Sequence, residues 1–223
     1  MSGRLIVIEG LDSSGKETQS KKLAEYLSDK YPLVKRIEFP NYQSPSSSLV
    51  KMYLAGEFGK EAGSVNAYAA SAFYAVDRYA TYKMDFEKLY NDGAIIIADR
   101  YVTSNLIHQA SKIADTAERE KYLDWVCDFE YNLLSLPRPD KVIFLNMPTD
   151  VSVALMKERA NKADGSNKKD IHESDIEYLK NTYNCAMEMV KIYSWDCVNC
   201  SENSRPRSIE DIANDIIKLV DGE

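Results

Sequence analysis

The sequence predicts an α/β fold, a three-layer sandwich in which a central parallel five-stranded sheet is flanked by helices. Short and continuously apolar runs, such as 94–98, alternate along the chain with longer segments of helical periodicity. Strands that are apolar on both faces are typical of parallel sheets covered by helices on each side. A glycine-containing turn, 10–15, joins the first apolar run to the first helical segment, as such a sheet requires.

Five segments have the short apolar pattern of buried strands. The first ends at Gly10, and the second is stopped by Pro40, which disfavours a continued regular backbone. The predicted strands are 4–9, 34–39, 94–98, 141–145 and 195–198. Ligands of open parallel sheets bind beyond the carboxyl ends of the strands, so we expect chemistry after Glu9, at Asp99 and after Leu145.

The segments between the strands have helical periodicity. The first carries Leu23, Ala24 and Leu27 on one face, and the last is amphipathic. The predicted helices are 18–31, 46–55, 65–89, 104–110, 118–134, 151–159, 175–192 and 209–220. Their alternation with the strands is what places helices on both faces of the sheet.

Length and composition favour one globular domain spanning residues 1–223. A formal net charge of -7, without a long run of Lys and Arg, disfavours a nucleic-acid partner, which needs clustered positive charge. The apolar run at 5–8 is too short for a signal peptide, and no apolar stretch approaches the ~20 residues of a membrane span. We therefore expect a cytoplasmic protein with no membrane partner.

Two of the four cysteines, Cys197 and Cys200, form a Cys-x-x-Cys pair. A zinc site would need a second pair or histidines at ligand spacing, and His108 and His172 are far away in the sequence. We expect free thiols in or beside a late strand, and the sequence assigns no role to the pair.

The turn after the first strand fits the phosphate-binding pattern G-x-x-x-x-G-K and stands between a predicted strand and a predicted helix. Its glycines permit a loop whose backbone N–H groups point at phosphate oxygens, and the helix N-terminus adds partial positive charge. Lys16 supplies a point charge to the β- and γ-phosphates. The predicted ATP-binding residues are Gly10, Leu11, Asp12, Ser13, Ser14, Gly15, Lys16, Glu17 and Thr18.

The residue after this lysine departs from the pattern. A serine or threonine is expected there to place a hydroxyl on Mg²⁺, but the chain has Glu17 followed by Thr18. Either Glu17 faces outward, as the helix dipole favours, and water replaces the hydroxyl, or Thr18 takes over its role. We predict Mg²⁺ as the cofactor, near Thr18 and Asp99.

Asp99 and Arg100 end a buried strand at the edge where ligands are expected. The carboxylate suits Mg²⁺ or its water, and the guanidinium suits phosphate oxygens. A salt-bridged strand terminus is the structural alternative for the pair.

Together these motifs resemble the thymidylate kinase family, which belongs to the P-loop nucleoside monophosphate kinases. The likeness covers nearly the whole chain in order, and its specific parts are the phosphate loop and Asp99-Arg100-Tyr101. The segment 73–78 resembles the family's aromatic-to-arginine helix, Phe39-Pro40 resembles the exit of its second strand, and 170–173 weakly resembles the end of its lid.

The resemblance implies an acceptor site and a homodimer. In the family an arginine, here Arg78, binds the acceptor nucleotide, and the aromatic four residues earlier, here Tyr74, stacks on the base. Gln109 matches a position that hydrogen-bonds the base edge, and Tyr101 is expected to crowd a ribose 2′-hydroxyl. The predicted acceptor-binding residues are Asp12, Tyr74, Arg78, Arg100, Tyr101 and Gln109.

Two further positions depart from the family. Tyr42 stands where an arginine commonly binds the acceptor phosphate, and a phenol offers no charge, so phosphate binding is expected to depend on Arg78 and Arg100. Ser13 stands where some members carry an arginine that stabilises the transferring phosphoryl group.

Members without that arginine place basic residues in a lid, and the polar, basic segment 159–172 fits this role. We predict that it closes over the phosphates and that Arg159 is catalytic. The other predicted lid residues are Lys162, Lys168 and Lys169. A solvated surface loop is the structural alternative.

The sequence therefore predicts a kinase that transfers the γ-phosphoryl group of ATP to dTMP. The predicted catalytic residues are Lys16, Asp99, Arg100 and Arg159. A deoxynucleoside kinase or another pyrimidine nucleotide kinase is an alternative, although a nucleoside kinase needs a carboxylate base and only Glu38 lies near the second strand. The other alternative is a non-catalytic nucleotide-binding module, which Glu17 and Tyr42 favour. The sequence alone leaves the base and sugar of the acceptor undetermined.

Overall fold

The computed structural model describes residues 3–162 and 176–222. Its main sheet has five parallel strands in the order β2-β3-β1-β4-β5. The strands are β1 Arg4–Gly10, β2 Val34–Glu38, β3 Ile95–Asp99, β4 Lys141–Asn146 and β5 Asp196–Asn199. The predicted fold class is confirmed. A small antiparallel hairpin, β6 Ser201–Glu202 with β7 Arg205–Pro206, was not predicted, because two-residue strands carry no periodic signal.

Helices connect the strands and cover both faces of the sheet. They are α1 Lys16–Ser28, α2 Ser48–Leu54, α3 Ala67–Thr81, α4 Glu87–Asn91, α5 Val102–Ser104, α6 Thr116–Cys127, α7 Thr149–Lys162, α8 Ile176–Ile192 and α9 Ile209–Asp221. Most predicted boundaries lie within three residues of these. Among the described helices, none combines the length and the apolarity needed to cross a lipid bilayer.

Three predicted helices contain wider, π-helical turns. The single helix predicted over 65–89 is α3, then a π-helical turn at Tyr82–Phe86, then α4. Similar turns at Asn105–Gln109 and Asp128–Leu133 continue α5 and α6. Periodicity did not separate these segments, because such a turn changes the helical repeat only locally. Short π-helical insertions are frequent at functional sites.

The core lies on both faces of β1, whose residues from Leu5 onward are all buried. Ile6 and Ile8 pack in one cluster with side chains of α1 and α9, whereas Leu5 and Val7 pack in a second cluster with the Tyr82–Phe86 turn. Alternate residues of a strand point to opposite faces, so β1 must be apolar at both. This explains why the strand is a continuous apolar run in the sequence.

The parallel register brings several loops to one edge of the sheet. Ile8 of β1 and Glu38 of β2 both pair with Asp99 of β3. The three strands therefore end at nearly the same level, and the segments that follow them, starting at Gly10 and Arg100, leave side by side. The carboxyl edge of the sheet is where ligands are expected in this architecture.

The chain's last third holds the cysteine pair and the predicted lid. Cys197 lies in β5, and Cys200 follows it and is buried in the core; all four cysteines are free thiols. Of the predicted lid 159–172, the backbone of 159–162 belongs to α7, and 163–172 lies outside the described residues.

Candidate active site

The loop between β1 and α1 is shaped by two glycines with different constraints. Gly15 has φ of 90°, in the left-handed region that side chains rarely adopt. A Cβ on Gly10 would lie only 2.6 Å from Ser14 Oγ, so that position needs a residue without a side chain. The helix that follows begins at Lys16 without a capping side chain, which leaves its first N–H groups available to an anion.

Two serine hydroxyls in this loop are buried without a hydrogen-bond partner among the described residues. They are the Oγ atoms of Ser13 and Ser14. A buried hydroxyl without a partner costs free energy, and phosphate oxygens would accept both hydrogen bonds. The loop therefore has the chemistry of a phosphate cradle as well as its sequence pattern.

Lys16 lies at the base of the cradle and is 7% exposed. Its Nζ donates to the carbonyl of Leu11 at 2.7 Å. Burial, followed by the nearby positive charge of Arg100, lowers the pKa of Lys16 to about 8. An incoming triphosphate would reverse this effect, since negative charge favours the ammonium form.

Glu17 points away from the cradle. Its side chain is 69% exposed and is paired with Lys21 one turn along α1, at 2.6 Å. An exposed pair at this spacing contributes roughly 0.3–0.5 kcal/mol. Of the two interpretations open from the sequence, the outward-facing one matches this geometry.

A cavity of about 450 Å³ lies over the loop. Eight of its twelve lining residues belong to the predicted site: Asp12, Ser13, Gly15, Lys16, Glu17, Thr18, Asp99 and Arg100. Asp99 also accepts a hydrogen bond from Arg36 Nη2 at 3.2 Å, and Arg36 pairs with Glu38 at 2.9 Å. Arg36 was not predicted, because an isolated charge in a strand carries no motif.

Arg100 stands between this cavity and a second one. Its backbone has φ of 65°, a strained conformation that turns the side chain out of β3 toward the loop. The guanidinium donates to Asp12 Oδ1 and lies 3.8 Å from Glu9. Burial opposes its charge, but Asp12 and Glu9 outweigh burial and raise the pKa of Arg100. The residue is therefore cationic at any working pH.

The second cavity is smaller, about 100 Å³, and lies between α3 and the Asn105–Gln109 turn. Its lining includes five of the six residues predicted to bind the acceptor, and these are Asp12, Tyr74, Arg78, Arg100 and Gln109. Tyr42 lines both cavities, next to Arg100. The structure thus brings together residues that are up to 97 positions apart in the sequence.

Arg78 is held differently from what the sequence suggested. It is 1% exposed, and it donates from Nε and Nη2 to the two carboxylate oxygens of Glu130 at 2.6 and 2.7 Å. Burial works against its charge, but Glu130 more than compensates and raises the pKa of Arg78. Glu130 thus neutralises the guanidinium locally, whereas Arg100 lines both cavities; the contribution of Arg78 to phosphate binding stays a prediction.

Gln109 presents an unsatisfied group to the same cavity. The residue is 1% exposed, and its Oε1 has no hydrogen-bond partner among the described residues. Tyr74, half-buried on α3, lines the cavity with its ring, which meets the ring of Tyr53 edge-on at 6.4 Å. An aromatic face and an unpaired amide are the groups that recognise a planar base.

Tyr101 is not among the residues that line either cavity, and its role at the sugar stays a prediction. Its ring is buried against Phe39, with centroids 5.9 Å apart, and its hydroxyl donates to the carbonyl of Pro137 at 3.0 Å. The positive φ of Arg100 sends the two neighbouring side chains in different directions, so adjacency in sequence did not mean adjacency in the site.

His108, which was not predicted as a site residue, also lines the acceptor cavity. Arg100 Nη1 lies 3.1 Å from His108 Nε2, and because a guanidinium can only donate, Nε2 must accept. The spacing of four residues from Ser104, another lining residue, could have shown that both share one helical face. Of the predicted lid residues, Arg159 and Lys162 lie in α7, while Lys168 and Lys169 are outside the described residues.

Comparison with known proteins agrees over most of the chain. The family model described as "Thymidylate kinase" matches residues 8–216. Thymidylate kinase of Mycobacterium tuberculosis is 32% identical over 179 residues, which cover 80% of this chain and 81% of that protein. A probable thymidylate kinase of Pyrococcus horikoshii is 29% identical and covers 100% of this chain and 98% of its own length. The solved structure of thymidylate kinase from Candida albicans, at 24% identity, has the same fold, with a TM-score of 0.68 over 99% of this chain and 92% of that one.

The lowered pKa of Lys16 predicts a pH dependence of ATP affinity. Lys16 is charged below its pKa of about 8 and neutral above it, whereas ATP stays fully ionised over this range. The affinity should therefore fall as pH rises from 7.5 to 9.5, by up to about tenfold per pH unit above the pKa. Calorimetric titration with ATP at several pH values measures this change in ATP affinity.

Lys16→Met serves as the control, because it removes the titrating group. It should bind ATP weakly at every pH, without the step near pH 8. A wild-type profile that is flat between pH 7.5 and 9.5, or an identical step in Lys16→Met, would contradict the assignment.

Proposed function

This chain belongs to the thymidylate kinase family, and from that premise we propose that it transfers the γ-phosphoryl group of ATP to dTMP, giving dTDP and ADP. One observation carries the proposal. The cavity over the phosphate loop and the acceptor cavity share Asp12, Tyr42 and Arg100 among their lining residues. Two ligands in adjoining cavities would place a donor phosphate and an acceptor phosphate next to each other.

The reaction needs positioning and charge neutralisation more than proton transfer. An oxygen of the acceptor phosphate attacks the γ-phosphorus, and the bond from that phosphorus to the β–γ bridging oxygen breaks, so ADP leaves with the electron pair. The attacking oxygen is already ionised, and no general base is required. Lys16 and Arg100 carry positive charge next to the phosphates, where negative charge shifts during transfer.

The charges of the acceptor cavity favour one orientation of dTMP. Arg100 is the cation that retains attraction for a phosphate, because its partner Asp12 is 28% exposed in its side chain and can rearrange. Arg78 is neutralised by the fully buried Glu130. We therefore place the phosphate of dTMP at Arg100 and the thymine between Tyr74, Arg78 and Gln109.

Mg²⁺ is the cofactor implied by the family, and the residues present fit it. Mg²⁺ is usually bound by one or two carboxylates and by substrate phosphates, and it keeps several waters. Among the described residues no group of three acidic, histidine or cysteine side chains could hold a metal unaided, which suits an ion that arrives with ATP. Thr18 and Asp99, both lining the phosphate cavity, would hold it. When bound, Mg²⁺ neutralises charge on the phosphates.

The alternatives have weaker support. A nucleoside kinase needs a carboxylate near the attacking hydroxyl, and Asp12 is the one carboxylate among the described residues lining the acceptor cavity, where it is paired with Arg100. Glu38 lines the phosphate cavity instead and pairs with Arg36. The outward position of Glu17 removes one argument for a non-catalytic module.

A panel of acceptors tests the proposal. The measurement is kcat/KM for dTMP, dUMP, UMP, CMP, AMP and GMP with ATP and Mg²⁺. We expect dTMP to be the best acceptor and the purine monophosphates to be rejected, because a pocket that fits a pyrimidine excludes the larger purine ring on size. Chelation of Mg²⁺ should abolish turnover.

A purine or CMP preference would refute the dTMP assignment but keep a nucleotide kinase. ATP binding without turnover of any acceptor would instead favour the non-catalytic module. Since Tyr101 is buried, the preference for deoxy acceptors is a separate question, and the ratio of dUMP to UMP answers it.

We further propose that the segment 159–172 acts as a lid whose basic residues meet the phosphates on closure. Arg159→Gln, and Lys168→Gln with Lys169→Gln together, should lower kcat by tenfold or more with little change in the acceptor KM, about the loss expected when a charge acts only in the transition state. Steady-state kinetics with varied dTMP concentration measures the effects on kcat and on KM separately. Lys121→Gln, an exposed lysine of α6, is the matched control. If all lid variants retain the wild-type kcat, the segment is a surface loop.

A homodimer, implied by the family, is proposed as well. Its support is a group of exposed apolar side chains on α3, which includes Tyr68, Val76 and Tyr79. Light scattering should give twice the mass of one chain, and Val76→Asp should shift it toward the monomer, because a buried unpaired charge is costly in an interface. Ile192→Asp, which places the same charge at an exposed apolar position of α8, should leave the mass unchanged. A wild-type mass of one chain would overturn the proposal.

A further inference from the structure

We propose that Glu130 is a positioning residue for acceptor recognition: it holds Arg78 and Asn105, two residues of the acceptor cavity, so that they present hydrogen-bond donors to a neutral base carbonyl. The inference rests on the proposed function and extends it to a residue that does not itself line the cavity. Glu130 lies in the π-helical turn Asp128–Leu133 after α6 and is 0% exposed.

Three N–H donors from two different elements converge on this carboxylate. Arg78 of α3 donates to both oxygens, from Nε at 2.6 Å and from Nη2 at 2.7 Å. Asn105, which opens the turn Asn105–Gln109, donates from Nδ2 to Oε1 at 2.8 Å. A bidentate contact fixes the plane of a guanidinium as well as its position. Glu130 therefore sets the position of α3 relative to the Asn105–Gln109 turn, the two elements between which the acceptor cavity lies.

The same contacts leave a defined edge of Arg78 for a ligand. The bonds to Glu130 use Nε and Nη2, so Nη1 is the guanidinium nitrogen that remains available at the cavity. Paired with Glu130, Arg78 offers N–H donors without net positive charge. Such a group suits a carbonyl oxygen and gives little advantage to a phosphate, so the acceptor phosphate is expected at Arg100, which also lines the cavity.

The rest of the network supports a fixed geometry. The Asn105 carbonyl accepts from the Tyr122 hydroxyl at 3.1 Å, and that hydroxyl lies 2.6 Å from Ser71 Oγ. Asn105 is thus held through both its side chain and its backbone. A buried network whose members are satisfied is rigid, and a site made of rigid donors discriminates strongly between hydrogen-bond donors and acceptors on a ligand.

The prediction concerns discrimination between dTMP and dCMP. At the position where thymine carries a carbonyl oxygen, cytosine carries an amino group, which would meet the N–H donors of Arg78 unfavourably. In Glu130→Gln the guanidinium loses its fixed partner, so we expect the ratio of kcat/KM for dTMP to that for dCMP to fall about tenfold. The Kd for dTMP should rise by a similar factor, whereas the Kd for ATP should stay at the wild-type value.

Glu130→Gln leaves a buried guanidinium without its counter-charge and can lower stability. Two further variants keep the proposal testable. Arg78→Met/Glu130→Gln removes both charges and should remain folded. It should bind dTMP no more weakly than Arg78→Met alone, because Glu130→Gln keeps an amide oxygen that can accept from Asn105, so that its loss of binding acts through Arg78. Leu27→Ala truncates a buried side chain in the core cluster that contains Ile6 and Ile8. It should lower the Tm without changing the ratio of kcat/KM for dTMP and dCMP or the Kd for dTMP or ATP.

The outcomes separate this inference from the proposed function. If wild-type protein binds dTMP by calorimetry without turning it over, the proposed reaction fails, and the Kd values still test Glu130. If Glu130→Gln lowers only the Tm and keeps the wild-type Kd and specificity ratio, the residue is structural and the inference is overturned. The inference would also be overturned if the losses of dTMP affinity caused by Arg78→Met and Glu130→Gln added up in the double variant. Wild-type protein that binds no dTMP would overturn it as well.

Discussion

The parallel pairing of β1 with β3 is the constraint on which the site depends. It aligns Ile8 with Asp99, so the phosphate loop and the Arg100 turn leave the sheet next to each other. Parallel strands cannot be joined by a tight turn, and the connection between these two contains α3, which supplies one wall of the acceptor cavity. The donor loop, the bridging arginine and the acceptor wall are thus consequences of one strand register.

Charge compensation organises the site within this frame. Arg100 is balanced by Asp12 and Glu9, Arg78 by Glu130, and Asp99 by Arg36. Burying any of these charges alone would be costly, and pairing makes the burial tolerable. The pairs differ in exposure: the side chains of Arg100 and Asp12 are partly exposed, while those of Arg78 and Glu130 are buried.

Several features of the site were predictable because they depend on local sequence. The phosphate loop needs glycines at Gly10 and Gly15 for reasons that involve only neighbouring atoms, and the continuous apolar pattern of β1 follows from burial on two faces. The expectation and the structure differ where side-chain direction matters. Tyr101 follows Arg100 in the sequence and was expected at the acceptor sugar, but its hydroxyl donates to the carbonyl of Pro137 and the residue does not line the cavity.

The sequence by itself determined the fold class and the phosphate loop through short-range patterns, and its resemblance to the family pointed to five of the twelve residues that line the acceptor cavity. Only the tertiary structure decided how those residues are paired and buried. Glu130 lies 52 positions from Arg78, and His108 lies eight positions beyond Arg100. Glu130 has no local sequence signal, and His108 has only its helical spacing from Ser104, since a buried ion pair or a ring contact is created by packing between elements. Long-range packing therefore decided which charged residues pair with one another and how deeply each pair is buried.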